Sequence, residues 1–244
     1  MERILSITET SSGAAELPHD GNTLATAAED GTVRLWDAAV ACERGDDSTS
    51  LSVQGGQKGV MVVRDERGIK SVPGALAWHA DGDTILVGAR DGSLQLWELR
   101  APAQYKPVML AKNATPASEV QADKAKAASV ARGAHQPNCD VSCVRWHRDG
   151  YRCASRATDG SLKLWDVRRF DSPLGEWGGL PSIFPMTACD FSPDGSLLVT
   201  GTSIKKGDGQ STLTFVSTST LEKVGEVPVD GASVVGLLWH PRLN

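Results

Sequence analysis

A fixed interval between an Asp-Gly dipeptide and a tryptophan constrains this chain of 244 residues more than any other feature. The interval is 16 residues long in three places, which are Asp20 to Trp36, Asp81 to Trp97 and Asp149 to Trp165. Each copy holds a β-rich run, a second Asp-Gly turn, and a strand of alternating apolar residues that ends at the tryptophan. A single small sheet cannot bury both of its faces, so such units must stack on one another. The sequence therefore predicts an all-β chain built from stacked repeats.

Four copies and the start of a fifth can be placed on the chain. The copies lie near residues 17–40, 72–100, 134–170 and 185–225, and the opening strand of the next lies within 231–244. The fourth copy has lost the Trp-acid ending. The stretch before the second copy is interpreted as an insertion with one poor strand near 60–63. Residues 101–133 are rich in Ala and Lys, and we expect a low-complexity loop or a short helix there.

The copies resemble WD40 repeats, and the resemblance implies a β-propeller with four strands in each blade. About four blades are present, whereas propellers close with roughly 4–8. We interpret the chain as part of a seven-bladed WD40 ring, and a closed four-bladed ring is the alternative.

The same resemblance implies a buried hydrogen-bonded network in each blade, which joins the tryptophan N–H, a hydroxyl, a histidine ring and the turn aspartate. In the second copy Val87 stands at the hydroxyl position, so its network is expected to be incomplete. The expected network residues are His135, Ser155, Asp159 and Trp165 in the third copy, Thr26, Asp30 and Trp36 in the first, and Asp91 and Trp97 in the second.

The second half of the chain carries motifs that are more specific than the repeat. They are GLPSIFPMT at 179–187, LVTGTSIKKGDGQ at 198–210, and ASVV with LWHPRLN at 232–235 and 238–244. These segments are similar to the WD repeat-containing protein 70 family, also called gastrulation-defective protein homologues. The similarity extends over residues 56–244.

Composition and motifs exclude several classes of function. The 25 basic and 30 acidic residues give a net charge of −5, which argues against a duplex-binding surface, so any direct nucleic-acid contact is expected to be minor. A run of about 18 apolar residues is missing, so we expect no membrane partner. The cysteines form no C-x-x-C pair, and phosphate-loop and hydrolase motifs are missing. We predict that the chain is not an enzyme and uses no metal or cofactor.

One motif points to protein binding. The segment from Cys153 to Arg168, which ends in Trp-Asp-Val-Arg, resembles the box by which WD40 receptors dock on the damaged-DNA-binding adaptor of cullin-4 ubiquitin ligases. The resemblance implies that Asp159, Asp166 and Arg168 face that adaptor. Trp97-Glu98-Leu99-Arg100 repeats the form, which makes Arg100 a second candidate. The alternative is that the motif only builds the blade. Trp177, in a Gly-rich stretch, is either tucked over a blade edge or a binding anchor.

The resemblance implies a noncatalytic nuclear scaffold within a large assembly of proteins. One possibility is a substrate receptor of a cullin-4 ubiquitin ligase that acts on chromatin, in histone ubiquitylation and DNA-break repair. The alternative is a late-stage spliceosome scaffold in pre-mRNA splicing, with spliceosomal proteins as partners. Arg168 discriminates the two, because only the first requires it to be exposed and engaged.

Overall fold

A computed structural model describes residues 4–9, 23–37, 57–99, 129–184, 186–205, 207–230, 233–234 and 236–240. Within these ranges the strands form four antiparallel sheets of four strands each, and the helical structure is one short 3-10 turn, η1 (Val167–Arg169). The predicted fold class, an all-β propeller with about four blades, is confirmed.

Each sheet is a blade whose strands neighbour one another in chain order. Blade 1 contains β1 (Ile4–Glu9), β2 (Thr23–Ala28), β3 (Thr32–Asp37) and β4 (Gln57–Val62). Blade 2 contains β5 (Pro73–Trp78), β6 (Thr84–Ala89), β7 (Leu94–Glu98) and β8 (Ser129–Ala131). Blade 3 contains β9 (Val141–Trp146), β10 (Arg152–Ala157), β11 (Leu162–Asp166) and β12 (Gly175–Trp177). Blade 4 contains β13 (Cys189–Phe191), β14 (Leu197–Gly201), β15 (Ser211–Ser217) and β16 (Lys223–Val229).

The strands extend beyond the blade limits that the sequence suggests. Strand β4 lies in the stretch interpreted as an insertion before the second copy, and β8 ends the insertion at 101–133, of which only 129–133 is described. Blade 1 also begins at β1, ahead of residue 17. Strands β4 and β8 pair on one side only. Strand β4 overlaps the poor strand that the sequence predicts near 60–63, whereas β8 is a three-residue run that in the sequence resembles a loop.

The predicted opening strand within 231–244 forms no strand ladder in its described residues, 233–234 and 236–240. Its start nevertheless lies on blade 4, because the Val234 backbone N–H donates to the Thr202 carbonyl at 3.0 Å. The side chain of Val234 also lies against Gly201, as Val141 lies against Gly88 between blades 2 and 3. The segment therefore covers the face of blade 4 at the position that β9 takes against blade 2.

The hydrophobic core is divided among the seams between neighbouring blades. The first strands of successive blades contact one another, so they form the inner side of the arrangement. Three clusters fill the seams between blades 1 and 2, 2 and 3, and 3 and 4. Trp97 lies in the first of these seams and Trp165 in the second, each facing the preceding blade. Stacking buries the apolar face that no single blade could cover alone.

The meander places its loops at two opposite ends. The bottom face carries the loops that join first to second and third to fourth strands, such as 147–151 and 167–174. The top face carries the turns at 158–161 and the connections to the next blade, such as 178–188. The two ends of one blade therefore present different residues to any partner.

Two recurring histidines join neighbouring blades at the bottom face. His79 Nε2 lies 2.8 Å from the Gly150 carbonyl, and His147 Nε2 lies 3.0 Å from the Gly195 carbonyl. A carbonyl oxygen can only accept, so Nε2 carries the proton that is donated to the next blade. The Nδ1 atom of each ring lies beside the backbone N–H and the carboxylate of the aspartate two residues later. We call these contacts the histidine clasps. They give His79 and His147, each of which follows a tryptophan in the sequence, an architectural role, which is to link blades.

Candidate functional site: the bottom rim of blade 3

Blade 3 holds the complete hydrogen-bonded network. The Trp165 Nε1–H donates to Ser155 Oγ at 2.9 Å, and the same oxygen lies 2.7 Å from His135 Nε2. His135 Nδ1 lies 3.2 Å from a carboxylate oxygen of Asp159. All four side chains are buried, so their polar groups must find hydrogen-bond partners within the protein rather than in water.

The other two tryptophan blades hold less of this network. In blade 1 the Trp36 Nε1–H donates to Thr26 Oγ1 at 2.8 Å, and Asp30 accepts from Thr32 and Arg34. In blade 2 Asp91 accepts from the amide and hydroxyl of Ser93. The buried Trp97 Nε1–H has no hydrogen-bond partner among the described residues, because Val87 takes the place of the hydroxyl.

Asp159 does not belong to the docking surface that the sequence assigned to it. It lies in a top-face turn with its side chain only 3% exposed, while Arg168 lies beyond the other end of β11. Five strand residues separate the ends by roughly 17 Å. Burial opposes ionisation of Asp159, but hydrogen bonds from His135 and Ser161 outweigh it and hold the pKa of the carboxyl well below its usual value. The prediction that Asp159 faces the same partner as Arg168 is therefore corrected.

Asp166 and Arg168 do lie together at the bottom face. Asp166 caps η1 by accepting the Arg168 backbone N–H at 3.0 Å. The Arg168 side chain returns to the same carboxylate through Nε at 2.9 Å and Nη2 at 2.6 Å. These hydrogen bonds lower the pKa of Asp166 and raise that of Arg168. The guanidinium also stacks over the ring of Tyr151, 4.0 Å from its centroid.

We call Tyr151, Asp166 and Arg168 the Arg168 rim. Although held on two sides, the Arg168 side chain remains 64% exposed, and Tyr151 is exposed beside it. Its Nη1 has no hydrogen-bond partner within the described part of the chain, so donors remain for a carboxylate or carbonyl of another molecule. A guanidinium that is already oriented loses little side-chain entropy on binding. The rim is suited to docking a protein.

Two further residues, Arg100 and Trp177, are candidates for protein binding from the sequence. Arg100 lies outside the described residues. Trp177 belongs to β12, not to a loop, and is half-buried against the seam between blades 3 and 4. Its ring lies over Gly175, where a methyl group would come within 2.9 Å of it. The glycine permits this tucked position.

Arg156 is a functional-looking residue that the sequence interpretation missed. It is fully buried at the residue after Ser155, where blades 1 and 2 have Ala27 and Gly88. Its guanidinium donates to the carbonyls of Ala157, Ser161 and Leu180 at 2.7–3.1 Å. Burial lowers its pKa. The signal in the sequence is the break in a pattern of small residues at this repeat position.

Chemical sites of other kinds are not seen in the described ranges. There, groups of three or more His, Cys, Asp or Glu side chains that could hold a metal ion are not found. In those same ranges, no helix is long and apolar enough to cross a membrane. The Cys143 Sγ lies 3.5 Å from the Cys189 carbonyl in the seam between blades 3 and 4. The neighbouring Cys143 side chain, together with burial, raises the pKa of Cys189 well above its usual value, which keeps it a neutral thiol.

The repeats match a known family model. The model of the WD domain, G-beta repeat, matches residues 7–37, 69–98, 130–166 and 182–210, which together make up more than half of the chain. The chain belongs to the WD40 repeat family. Each matched segment overlaps the inner three strands of one blade, apart from the fourth, which ends before β15.

Relatives of this WD40 chain confirm the narrower resemblance. It is 37% identical over 219 residues to WD repeat-containing protein 70 of Xenopus tropicalis, covering 90% of this chain and 30% of that protein. It is 33% identical over 227 residues to Gastrulation defective protein 1 homolog of Drosophila melanogaster, covering 93% and 30%. The chain thus spans about 30% of the length of the curated relatives it matches.

A solved structure supports the WD40 fold. A chain of the structure titled "Crystal Structure of Mitotic Checkpoint Complex" matches with a TM-score of 0.60 at 18% identity, covering 89% of this chain and 51% of that one. At this identity the likeness shows the fold alone.

Proposed function

We propose that this WD40 chain is part of a noncatalytic nuclear scaffold that docks as a substrate receptor on the adaptor of a cullin-4 ubiquitin ligase, acting on chromatin and in DNA-break repair. The observation that carries the proposal is the Arg168 rim. It combines an exposed, oriented guanidinium with an exposed aromatic ring at the end of the blade that has the complete internal network. Arginine and tyrosine are the residue types enriched where protein interfaces concentrate their binding free energy.

The neighbourhood of the rim explains why blade 3 is the best candidate for docking. Phe170 follows η1 and is buried with its ring edge-on to Trp165, 5.8 Å between centroids. The loop after Asp166 is therefore anchored by a core residue only two positions beyond Arg168. An anchored loop presents its side chain in one orientation, which lowers the entropic cost of association.

The test is affinity purification of the full-length protein from nuclear extract, comparing wild type with Arg168→Ala, read by mass spectrometry. A matched control is Arg132→Ala, which removes another exposed arginine, one on the top face. Recovery of the cullin-4 adaptor with wild type and with the Arg132 variant, together with at least a tenfold loss with the Arg168 variant, is expected if about 1.4 kcal/mol or more of binding is lost.

The alternative function, a late-stage spliceosome scaffold, predicts a different result in the same experiment. Splicing proteins would dominate the recovered set, and Arg168→Ala would change nothing. The rim would then serve only to close the blade, and the receptor proposal would be rejected.

A further inference from the structure

The loop that follows the Arg168 rim carries a Ser-Pro dipeptide, Ser172-Pro173, at the bottom face. Asp171 and Ser172 are both exposed, and the Ser172 hydroxyl makes no hydrogen bond among the described residues. The loop is closed on each side, by buried Phe170 before it and by the Leu174 N–H, which donates to the Leu164 carbonyl at 2.7 Å, after it. A free hydroxyl is thus presented at the tip of an anchored loop.

A second Ser-Pro dipeptide, Ser192-Pro193, provides an internal comparison. Ser192 is buried, its hydroxyl donates to Asp194 at 2.5 Å, and the same oxygen accepts the Leu197 N–H at 2.9 Å. Its hydroxyl is therefore engaged in closing a turn. The two dipeptides have the same local sequence for a proline-directed enzyme but opposite accessibility.

The charges around Ser172 favour an added phosphate. Arg168 and Arg169 precede it by four and three residues, and both are exposed. Arg169 forms no ion pair among the described residues, and Arg168 retains the Nη1 donor described above. Asp171 is the one acidic neighbour in the loop and opposes this attraction. A phosphate dianion carries three strong acceptor oxygens, which guanidinium groups bind well.

We propose that Ser172 is a phosphorylation site for proline-directed serine/threonine protein kinases. In the reaction the Ser172 Oγ attacks the γ-phosphorus of ATP, the bond from that phosphorus to the bridging β-phosphate oxygen breaks, and ADP leaves. The hydroxyl proton passes to the catalytic base of the kinase. The phosphate then competes with Asp166 for Arg168, and so opposes docking at the rim. Only this last consequence rests on the proposed function.

The site is tested by incubating the full-length protein with ATP and a proline-directed kinase, and by mapping the phosphate after digestion at glutamate. Cleavage after Glu176 separates Ser172 from Ser192, whereas trypsin would leave both in one peptide. We expect Ser172 to be phosphorylated about tenfold faster than Ser192, or more, since Ser192 requires local opening. Ser172→Ala should abolish the first signal and leave the circular dichroism spectrum unchanged.

A synthetic peptide of residues 166–178 is the control for sequence recognition. If the kinase modifies the peptide but not Ser172 of the folded protein, or modifies neither, the proposal is overturned. Equal rates at Ser172 and Ser192 would overturn it as well.

The effect on docking is measured separately, with the kinase-treated protein and the purified cullin-4 adaptor. Phosphorylated wild type should lose capture to the level of Arg168→Ala, and Ser172→Ala should retain it after the same treatment. If unmodified wild type does not bind the adaptor, the receptor function fails, while the phosphate map still decides whether Ser172 is a site.

Discussion

One repeat position is filled in opposite ways in two neighbouring seams. It lies in the seam between blades 2 and 3 and again in the seam between blades 3 and 4. In the first, Gly88 leaves a hollow that Val141 of the next blade enters. In the second, Arg156 occupies the equivalent position and donates to three carbonyls. Met186, which the repeat aligns with Val141, is 68% exposed. The same repeat position can thus accept an apolar side chain from the next blade or hold a buried guanidinium. The Nη1 and Nη2 donors of Arg156 are satisfied by carbonyls, whereas its buried Nε has no hydrogen-bond partner among the described residues.

The largest change in stability is expected when position 88 receives the arginine that blade 3 has at position 156. We expect Gly88→Arg to lower the free energy of unfolding by about 3 kcal/mol or more, because even a Cβ at this position would lie 2.8 Å from Val141 Cβ. Urea denaturation and soluble yield measure this. The control is Gly178→Ala, whose methyl group would meet open space and should change stability by less than about 0.5 kcal/mol. Equal stability of the two variants would show that the seam between blades 2 and 3 rearranges to accept the larger side chain.

The reverse substitution, from arginine to glycine in blade 3, should lower the free energy of unfolding by somewhat less. Arg156→Gly removes a buried side chain and leaves the carbonyls of Ser161 and Leu180 without those donors, so we expect a loss of about 2–4 kcal/mol. Thermal and urea unfolding of the variant measure it, with exposed Arg132→Gly as the control. A loss below about 1 kcal/mol would mean that the next blade moves in to fill the space, as it does at Gly88.

A smaller effect distinguishes the tryptophans of blades 2 and 3. Trp165→Phe deletes a hydrogen bond to Ser155, whereas Trp97→Phe deletes an N–H that has no partner in the described residues. Both variants lose similar ring area, so we expect the first to be less stable than the second by about 1–2 kcal/mol. Paired denaturation curves of the two variants provide the comparison. If Trp97→Phe were the more damaging, an additional acceptor for its N–H would have to exist.

The smallest expected effect is a pH dependence of stability that comes from Asp149. This residue contacts His147, which forms the histidine clasp between blades 3 and 4. Burial opposes ionisation of Asp149, but hydrogen bonds from Arg152 and Tyr151 outweigh it and lower the pKa of the carboxyl from 3.8 to about 2. A depressed pKa contributes stability above the unfolded-state value, and that contribution is lost as the pH falls through the folded-state value.

The melting temperatures of wild type and Asp149→Asn should therefore differ most above about pH 4 and converge between pH 4 and pH 2. Asp208→Asn, at an exposed top-face turn, serves as the control. A difference that stays constant over this range would assign the effect to something other than titration of Asp149.

The sequence was sufficient for the repeated part of the fold. The spacing from Asp-Gly to tryptophan predicts the middle strands of blades 1 to 3, because the turn and the buried ring are both required in each copy. It does not define β8, since an outer strand needs little apolar character, and β4 is predicted only as a poor strand near 60–63. The missing hydroxyl at Val87 correctly indicated an incomplete network in blade 2.

The candidate site was only partly predictable from the sequence. The Trp-Asp-Val-Arg motif identified Asp166 and Arg168, which the structure joins through a capped turn. Linear proximity suggested that Asp159 belonged with them, but a strand runs between the two ends of the blade and separates them. Tyr151 could not be assigned, because its contact with Arg168 joins two different loops of the blade.

The histidine clasps have a mechanical consequence for this arrangement. Blades 3 and 4 are joined at the bottom by His147, and near the top Arg156 binds the Leu180 carbonyl in the segment that leads to blade 4, so the two attachment points lie far apart along the strands. Sliding one blade lengthwise past its neighbour would strain both attachments together. A force applied at the bottom face of blade 3 is therefore transmitted through the histidine clasps to blades 2 and 4.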